Sequence, residues 1–148
     1  MKVVLAVDGS RYSADALDAV ATRPWPSGTT VRVLCVAALD RVLSATAQGG
    51  KAVVLEQKAA TKDAEELTTL IANSLRTRGL FVDSMVPVGD PREAIVNEAK
   101  KWGANLIIIG AYGHSGAKSW SLGSVAESVV KHAPCSVEVV RKTSEEKE

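Results

Sequence analysis

"LIIIGAYGHSGAKSWSLGSV", Leu106 to Val125, opens with four large aliphatic residues and then spreads four of the chain's eleven glycines over the sixteen positions from Gly110. An uninterrupted apolar run of this kind reads as a strand buried on both faces, which belongs inside a parallel sheet. Behind it stand Gly110, Gly113 and the pair Gly123-Ser124, followed by a helix predicted from about Ser124 to His132. Glycine lets a backbone turn with positive φ and approach a ligand closely, and the unpaired amides at a helix start attract phosphate oxygens. The spacing therefore predicts a loop that leaves the carboxyl end of an inner strand and folds back over a helix start.

Working outward, β-branched runs alternate with segments of helical period. Lys2 to Val7 is a strand, and Ser13, Ala14, Leu17, Val20 and Ala21 mark a helical face that ends at Pro24-Trp25-Pro26. Thr30 to Ala37 is a second strand, and Arg41 to Gly50, small and polar, reads as a flexible loop. A long helix follows, with Ala60, Ala64, Leu67, Ile71 and Leu75 on one face and Gly79 as its stop. Phe81 to Val88 is a third strand, placed at a sheet edge because Pro87 cannot donate to a ladder. Asp90-Pro91 begins a helix that turns Ile95, Ala99 and Trp102 inward before Gly103, and Ser136 to Arg141 is a final strand. Five strands alternating with four helices predict an open parallel sheet wound on both sides, whose ligand crevice lies at strand carboxyl ends where the winding reverses. With the first and fourth strands as neighbours, Asp8 and Gly110 both border that crevice.

Composition bounds the partners. The 148 residues, 46% hydrophobic and 24% charged, suit one domain over 1–142 with a charged tail, 143–148, expected to be disordered. Eighteen basic and seventeen acidic residues give a net charge of +1 and no basic stripe, so nucleic acid is not expected as a partner. The apolar run after Lys2 is too short for a signal peptide or a membrane span, and the expected location is cytoplasmic with no membrane partner. Cys35 and Cys135 sit in apolar surroundings without ligand spacing, so they read as small buried hydrophobes, with neither a metal site nor a disulfide.

Two phosphate motifs almost fit the glycine stretch and fail. Gly113-x-x-Gly116 lacks the first glycine of GxGxxG, and Gly116-Ala117-Lys118 lacks the glycine that a Walker A loop places directly before lysine. Each fragment also has a plain structural reading. Ser124-Val125-Ala126-Glu127 has the form of a capping box, Ser10 can cap the first helix, and Trp120 and Tyr112 can be packing residues. What favours a ligand is convergence, because independent caps have no reason to share one crevice.

At this point the chain resembles the universal stress protein family along nearly its whole length, from Val3-Val4-Leu5-Ala6-Val7-Asp8-Gly9-Ser10 to Ser136-Val137-Glu138-Val139-Val140-Arg141. The family signature G-x2-G-x9-G-[ST] is met by Gly110, Gly113, Gly123 and Ser124. The resemblance implies a Rossmann-like α/β fold of the adenine nucleotide alpha hydrolase kind, strand order 3-2-1-4-5. It implies an ATP site in which Val7, Asp8 and Val36 surround adenine and ribose, with Gly110, Gly113, His114, Gly123, Ser124 and Val125 along ribose and phosphates, Mg²⁺ accompanying the nucleotide. It also implies a homodimer paired through the last strand, where Glu138 stands in place of an apolar residue and sets like charges against each other across a two-fold axis.

Departures from the family pattern bear on function. Ala111-Tyr112 lies between the first two glycines, and His114 stands where lysine or arginine is common, so a fixed phosphate-facing cation is lost and an imidazole stands in its place. Lys118 and Tyr112 are available nearby in sequence. The expected function is that of an ATP-binding stress or signalling switch acting through the Arg41–Gly50 loop or the dimer; the alternative is an interaction module that binds no nucleotide. Dedicated catalysis is not expected, because Asp8-Gly9-Ser10-Arg11 offers one glycine and no constellation of base and metal carboxylates accompanies it.

Overall fold

The structure, a computed structural model, describes residues 1–38, 50–114, 116 and 121–142. The elements are β1 (Lys2–Ala6), α1 (Arg11–Ala21), β2 (Thr30–Leu34), β3 (Ala37–Ala38), α2 (Gly50–Arg76), β4 (Phe81–Met85), β5 (Val88–Gly89), α3 (Pro91–Trp102), β6 (Leu106–Gly110), α4 (Ser124–His132) and β7 (Ser136–Val140). β4, β2, β1, β6 and β7 form one five-stranded sheet in that order, and every pairing is parallel. Counting only its own strands, the order is 3-2-1-4-5, as expected.

Alternation along the strands sorts the core into two layers. Val3, Leu5, Val31, Val33 and Ile108 face α1 and α2, meeting Ala16, Val20, Ala64, Ile71 and Leu75. Val4, Ala6, Leu34, Ile107 and Ile109 face α3 and α4, meeting Ile95, Ala99 and Val129. Both faces of β1 and β6 are thus dry, which is why their sequences carry no polar alternation, and each fully buried aliphatic side chain contributes about 1.5 to 3 kcal/mol. Arg32 on β2 ties the second layer together, forking onto Asp83 of β4 at 2.8 and 3.0 Å and reaching Glu98 of α3 at 3.0 Å.

Helix ends follow the sequence signals except at the start of α4, where Gly123 and not Ser124 is the N-cap. Asp90 caps α3, accepting from the Arg92 N–H at 2.9 Å with Pro91 at the first helical position, and Gly103 closes it at φ 72°. The buried face of α1 differs from the expected one: Tyr12 and Ala16 are inside, while Ala14 is exposed.

Two strands are also shorter than expected. β2 stops at Leu34, and the ladder resumes as the small pair β3–β5. β4 is an edge strand, but Pro87 lies beyond its end, where its carbonyl accepts from the Ala37 N–H at 2.8 Å. The missing donor interrupts the ladder instead of sitting within it. Gly50 opens α2; the rest of the 41–50 loop, the tail from 143, Lys118 and Trp120 lie outside the described residues. No helix among the described residues is long and apolar enough to cross a membrane.

Candidate functional site

The winding reverses between β1 and β6, since α1 and α2 cover one face and α3 and α4 the other, and a crevice opens where these strands end. On the β1 side the chain is tied down locally. The Asp8 carboxylate accepts from the Ser10 N–H at 2.8 Å, Gly9 turns with φ 83°, and the Ser10 hydroxyl caps α1 by accepting from the Ser13 N–H at 3.2 Å. Asp8 itself is exposed. The structural reading of Ser10 as a cap therefore holds.

On the β6 side the glycines answer a different demand. Gly110, Gly113 and Gly123 are not among the positive-φ glycines, so their purpose is close approach. A Cβ on Gly110 would fall 2.5 Å from the Tyr12 carbonyl oxygen, and one on Gly123 would fall 3.1 Å from the Tyr112 Cα. A Cβ on Gly113 would fall 3.2 Å from the Asp8 carboxylate. The loop closes when the Gly123 N–H donates to the Ala111 carbonyl at 2.8 Å, and His114 Nε2 meets the Asp8 carbonyl at 2.5 Å. β1 and β6 are thereby joined across the mouth.

Gly123, not Ser124, is the N-cap of α4, and it supplies no side-chain hydrogen bond. The capping-box reading fails: Ser124 is the first helical residue and exposed, and Glu127 pairs with Lys131 at 2.9 Å. The lysine holds the Glu127 carboxyl below its ordinary range. The amides of Ser124, Val125 and Ala126 have no intrahelical acceptor, as at any helix start.

Between these edges lies a cavity of about 530 Å³, within the range of small-molecule sites. Its lining includes Val7, Asp8, Val36, Gly110, Gly113, His114 and Val125 of the expected residues; Gly123 and Ser124 adjoin it at the start of α4 without lining it. The apolar wall comes from Leu34, Cys35 and Ala37 beyond β2, from Ala60, Ala64 and Leu67 on α2, and from Ile95 on α3. At Val36 the ladder is broken. The N–H groups of Cys35 and Ala37 are taken by Met85 and Pro87, whereas neither backbone polar group of Val36 is bonded to the backbone of a described residue. Val36 thus offers a donor and an acceptor side by side at the cavity wall.

Burial, with a smaller contribution from the Asp8 charge, pushes the Cys35 thiol up to about 11, so it stays protonated near neutrality and behaves as an apolar wall group. Cys135 is half-buried rather than buried, and burial raises its thiol as well. Tyr112 lines the cavity and meets Tyr12 edge-on at 5.2 Å, with Ala111 in the same buried cluster. The departure Ala111-Tyr112 is therefore a packing feature. No group of three or more His, Cys, Asp or Glu is placed for a metal ion among the described residues.

Sequence reasoning placed the two glycine-bearing edges but missed Tyr112 as a lining residue, the Cys35 wall and the α2 contribution. Ala60 and Ala64, one turn apart, stand in the sequence as part of the apolar face of the long helix. Their small size within an otherwise larger apolar stripe was the signal that space had been left beside them.

Comparison with known proteins gives a consistent answer. The family model described as "Universal stress protein family" matches residues 1–141. The chain is 29% identical over 146 residues to the universal stress protein YxiE of Bacillus subtilis, covering 95% of this chain and 98% of that one. Among solved structures it is similar to the hypothetical protein MJ0577, with a TM-score of 0.86 at 26% identity, 97% of this chain and 96% of that one being covered. A universal stress protein family protein from Arabidopsis thaliana, solved with AMP bound, matches with a TM-score of 0.68 at 19% identity, over 100% of this chain and 95% of that one.

Proposed function

Because this chain belongs to the universal stress protein family, we propose that it binds an adenine nucleotide, ATP being the nucleotide its signature suggests, and that occupancy acts as a stress or signalling switch. The observation that carries this reading is the joint opening, onto one largely apolar cavity, of an α4 start without a side-chain cap and of a Val36 backbone that no described residue's backbone pairs. An adenine ring presents a donor beside an acceptor along one edge, matching the pair offered by Val36. Val7 and the apolar wall accept its faces, and the Asp8 carboxylate accepts from ribose hydroxyls. Gly110, Gly113 and His114 run along the ribose and phosphates, which meet the amides of α4 around Gly123, Ser124 and Val125. The AMP-bound Arabidopsis relative supports a nucleotide of this class. Mg²⁺ arrives with the phosphates, no protein ligand cluster being present for it among the described residues.

The switch is proposed to act in a cytoplasmic homodimer paired through β7. β7 is an edge strand, and Glu138, the residue expected to oppose pairing, is held by Arg23 at 2.5 Å, so its charge is offset within its own chain. Light scattering tests the pairing: a dimer that dissociates in Val139→Lys supports it, and a monomer at all concentrations removes it.

The test of nucleotide binding is direct. The purified protein is denatured, any released nucleotide is identified by mass spectrometry, and ATP, ADP and AMP are titrated into the emptied protein with and without Mg²⁺. Binding in the micromolar range or tighter, lost on filling the cavity by Ala64→Leu, is the expected result. No binding of any nucleotide leaves the interaction module as the function, and many turnovers per second would make the protein an enzyme.

A further inference from the structure

The geometry points to a site that discriminates among adenine nucleotides by charge, taking AMP in preference to ATP when no divalent cation accompanies the phosphates; this rests on the adenine-nucleotide reading of the cavity. Among the described lining residues the acidic side chains are Asp8 and Asp63, and no lysine or arginine joins them. His114, at the family position for a fixed cation, has its Nε2 engaged by the Asp8 carbonyl.

Three cations beside the crevice, one at the start of α1 and two behind β7, have partners of their own. Arg11 Nη2 donates to the Tyr12 hydroxyl at 2.8 Å, and its guanidinium lies 4.9 Å from that ring. Arg141 lies 5.4 Å from the centre of the Tyr112 ring, on the second member of the tyrosine pair. Lys142 reaches Asp18 at 3.2 Å and Asp15 at 3.6 Å on α1. Among the described residues, positive potential at the phosphate end comes from the start of α4, where the first amides have no intrahelical acceptor and the helix end carries about half a unit of charge.

One phosphate group can be seated against those amides. Further phosphates add negative charge beside Asp8 with no counter-charge from the described lining, and like charges within a Debye length repel. A divalent cation travelling with the triphosphate removes this penalty without needing a protein site. The described residues thus separate recognition of the nucleoside, which the cavity supplies, from recognition of a phosphate chain, which they supply at its first member.

Titration calorimetry of the full chain with adenosine, AMP and ATP, in EDTA at two ionic strengths, tests this. AMP is expected to bind roughly tenfold more tightly than ATP at low salt, with the gap narrowing as salt rises. Mg²⁺ is expected to raise the affinity for ATP much more than that for AMP. His114→Arg, which restores a fixed cation, is expected to raise the affinity for ATP more than that for adenosine. ATP binding as tightly as AMP in EDTA would overturn the inference while leaving the adenine-nucleotide reading intact, and reversal of that result in Lys118→Ala would identify the cation responsible. Failure of all three ligands to bind would overturn both.

Discussion

α1 and α4 start at the same end of the sheet, one behind β1 and the other behind β6, yet their first turns are finished differently. At α1 the Ser10 hydroxyl takes the Ser13 amide, and the Asp8 carboxylate takes the Ser10 amide just ahead of it. At α4 the cap is Gly123, with no side-chain acceptor. A capped start is a closed account of hydrogen bonds and contributes stability; an uncapped one beside a cavity leaves donors for a ligand. The two helices show how neighbouring strand-to-helix turns in one fold come to serve anchoring and binding separately.

Breaking the contact that holds the two starts together has the largest expected effect. Gly110→Ala drives a Cβ into the Tyr12 carbonyl, where backbone cannot step aside, and is expected to cost about 2 to 3 kcal/mol in denaturant unfolding. Ser10→Ala removes a cap and should cost about 1 kcal/mol. Its nucleotide affinity should stay close to that of the parent, because the Ser10 hydroxyl is taken by the Ser13 amide and has no part in the proposed phosphate contacts.

A third helix start sharpens the comparison through pH. At α3, Asp90 is held below the ordinary carboxyl range, first by the Arg92 side chain and then by the Arg92 amide. A folded-state value below the unfolded one gives stability that is present above the unfolded value and is lost as pH falls through the folded one, below about pH 4. Acid unfolding followed by circular dichroism should show a shallower loss in that range for Asp90→Asn than for the parent. The smallest stability effect is expected for Ser124→Ala: unfolding within about 0.5 kcal/mol of the parent, since no cap is lost, with nucleotide binding weakened. A loss near that of Ser10→Ala would mean that Ser124 caps α4 after all.

The sheet was legible in the sequence because its inner strands are buried on both faces and so carry continuous apolar runs. Pro87 placed β4 at the edge for a sound reason, though the proline proved to end the ladder rather than lie in it. The glycine spacing located the β6 side of the crevice, but positive φ was not its purpose. The closeness of the Tyr12 backbone to Gly110 belongs to packing between segments about a hundred residues apart, which no local pattern encodes. Glu138 was read as an unopposed edge charge because its partner Arg23 is 115 positions away. The capping-box reading of Ser124 failed because the loop's closure onto Ala111 sets the helix start one residue earlier.

By itself, the order of apolar runs, glycines and helix signals determined a parallel α/β sheet and the strand ends between which a ligand site falls, since these follow from burial and backbone freedom within a few residues. Only the tertiary structure decided which helix start lacks a side-chain cap, that no described residue's backbone pairs with that of Val36, and where the arginines point. Those depend on which distant groups consume each hydrogen bond and each charge, a competition settled only when the chain is folded.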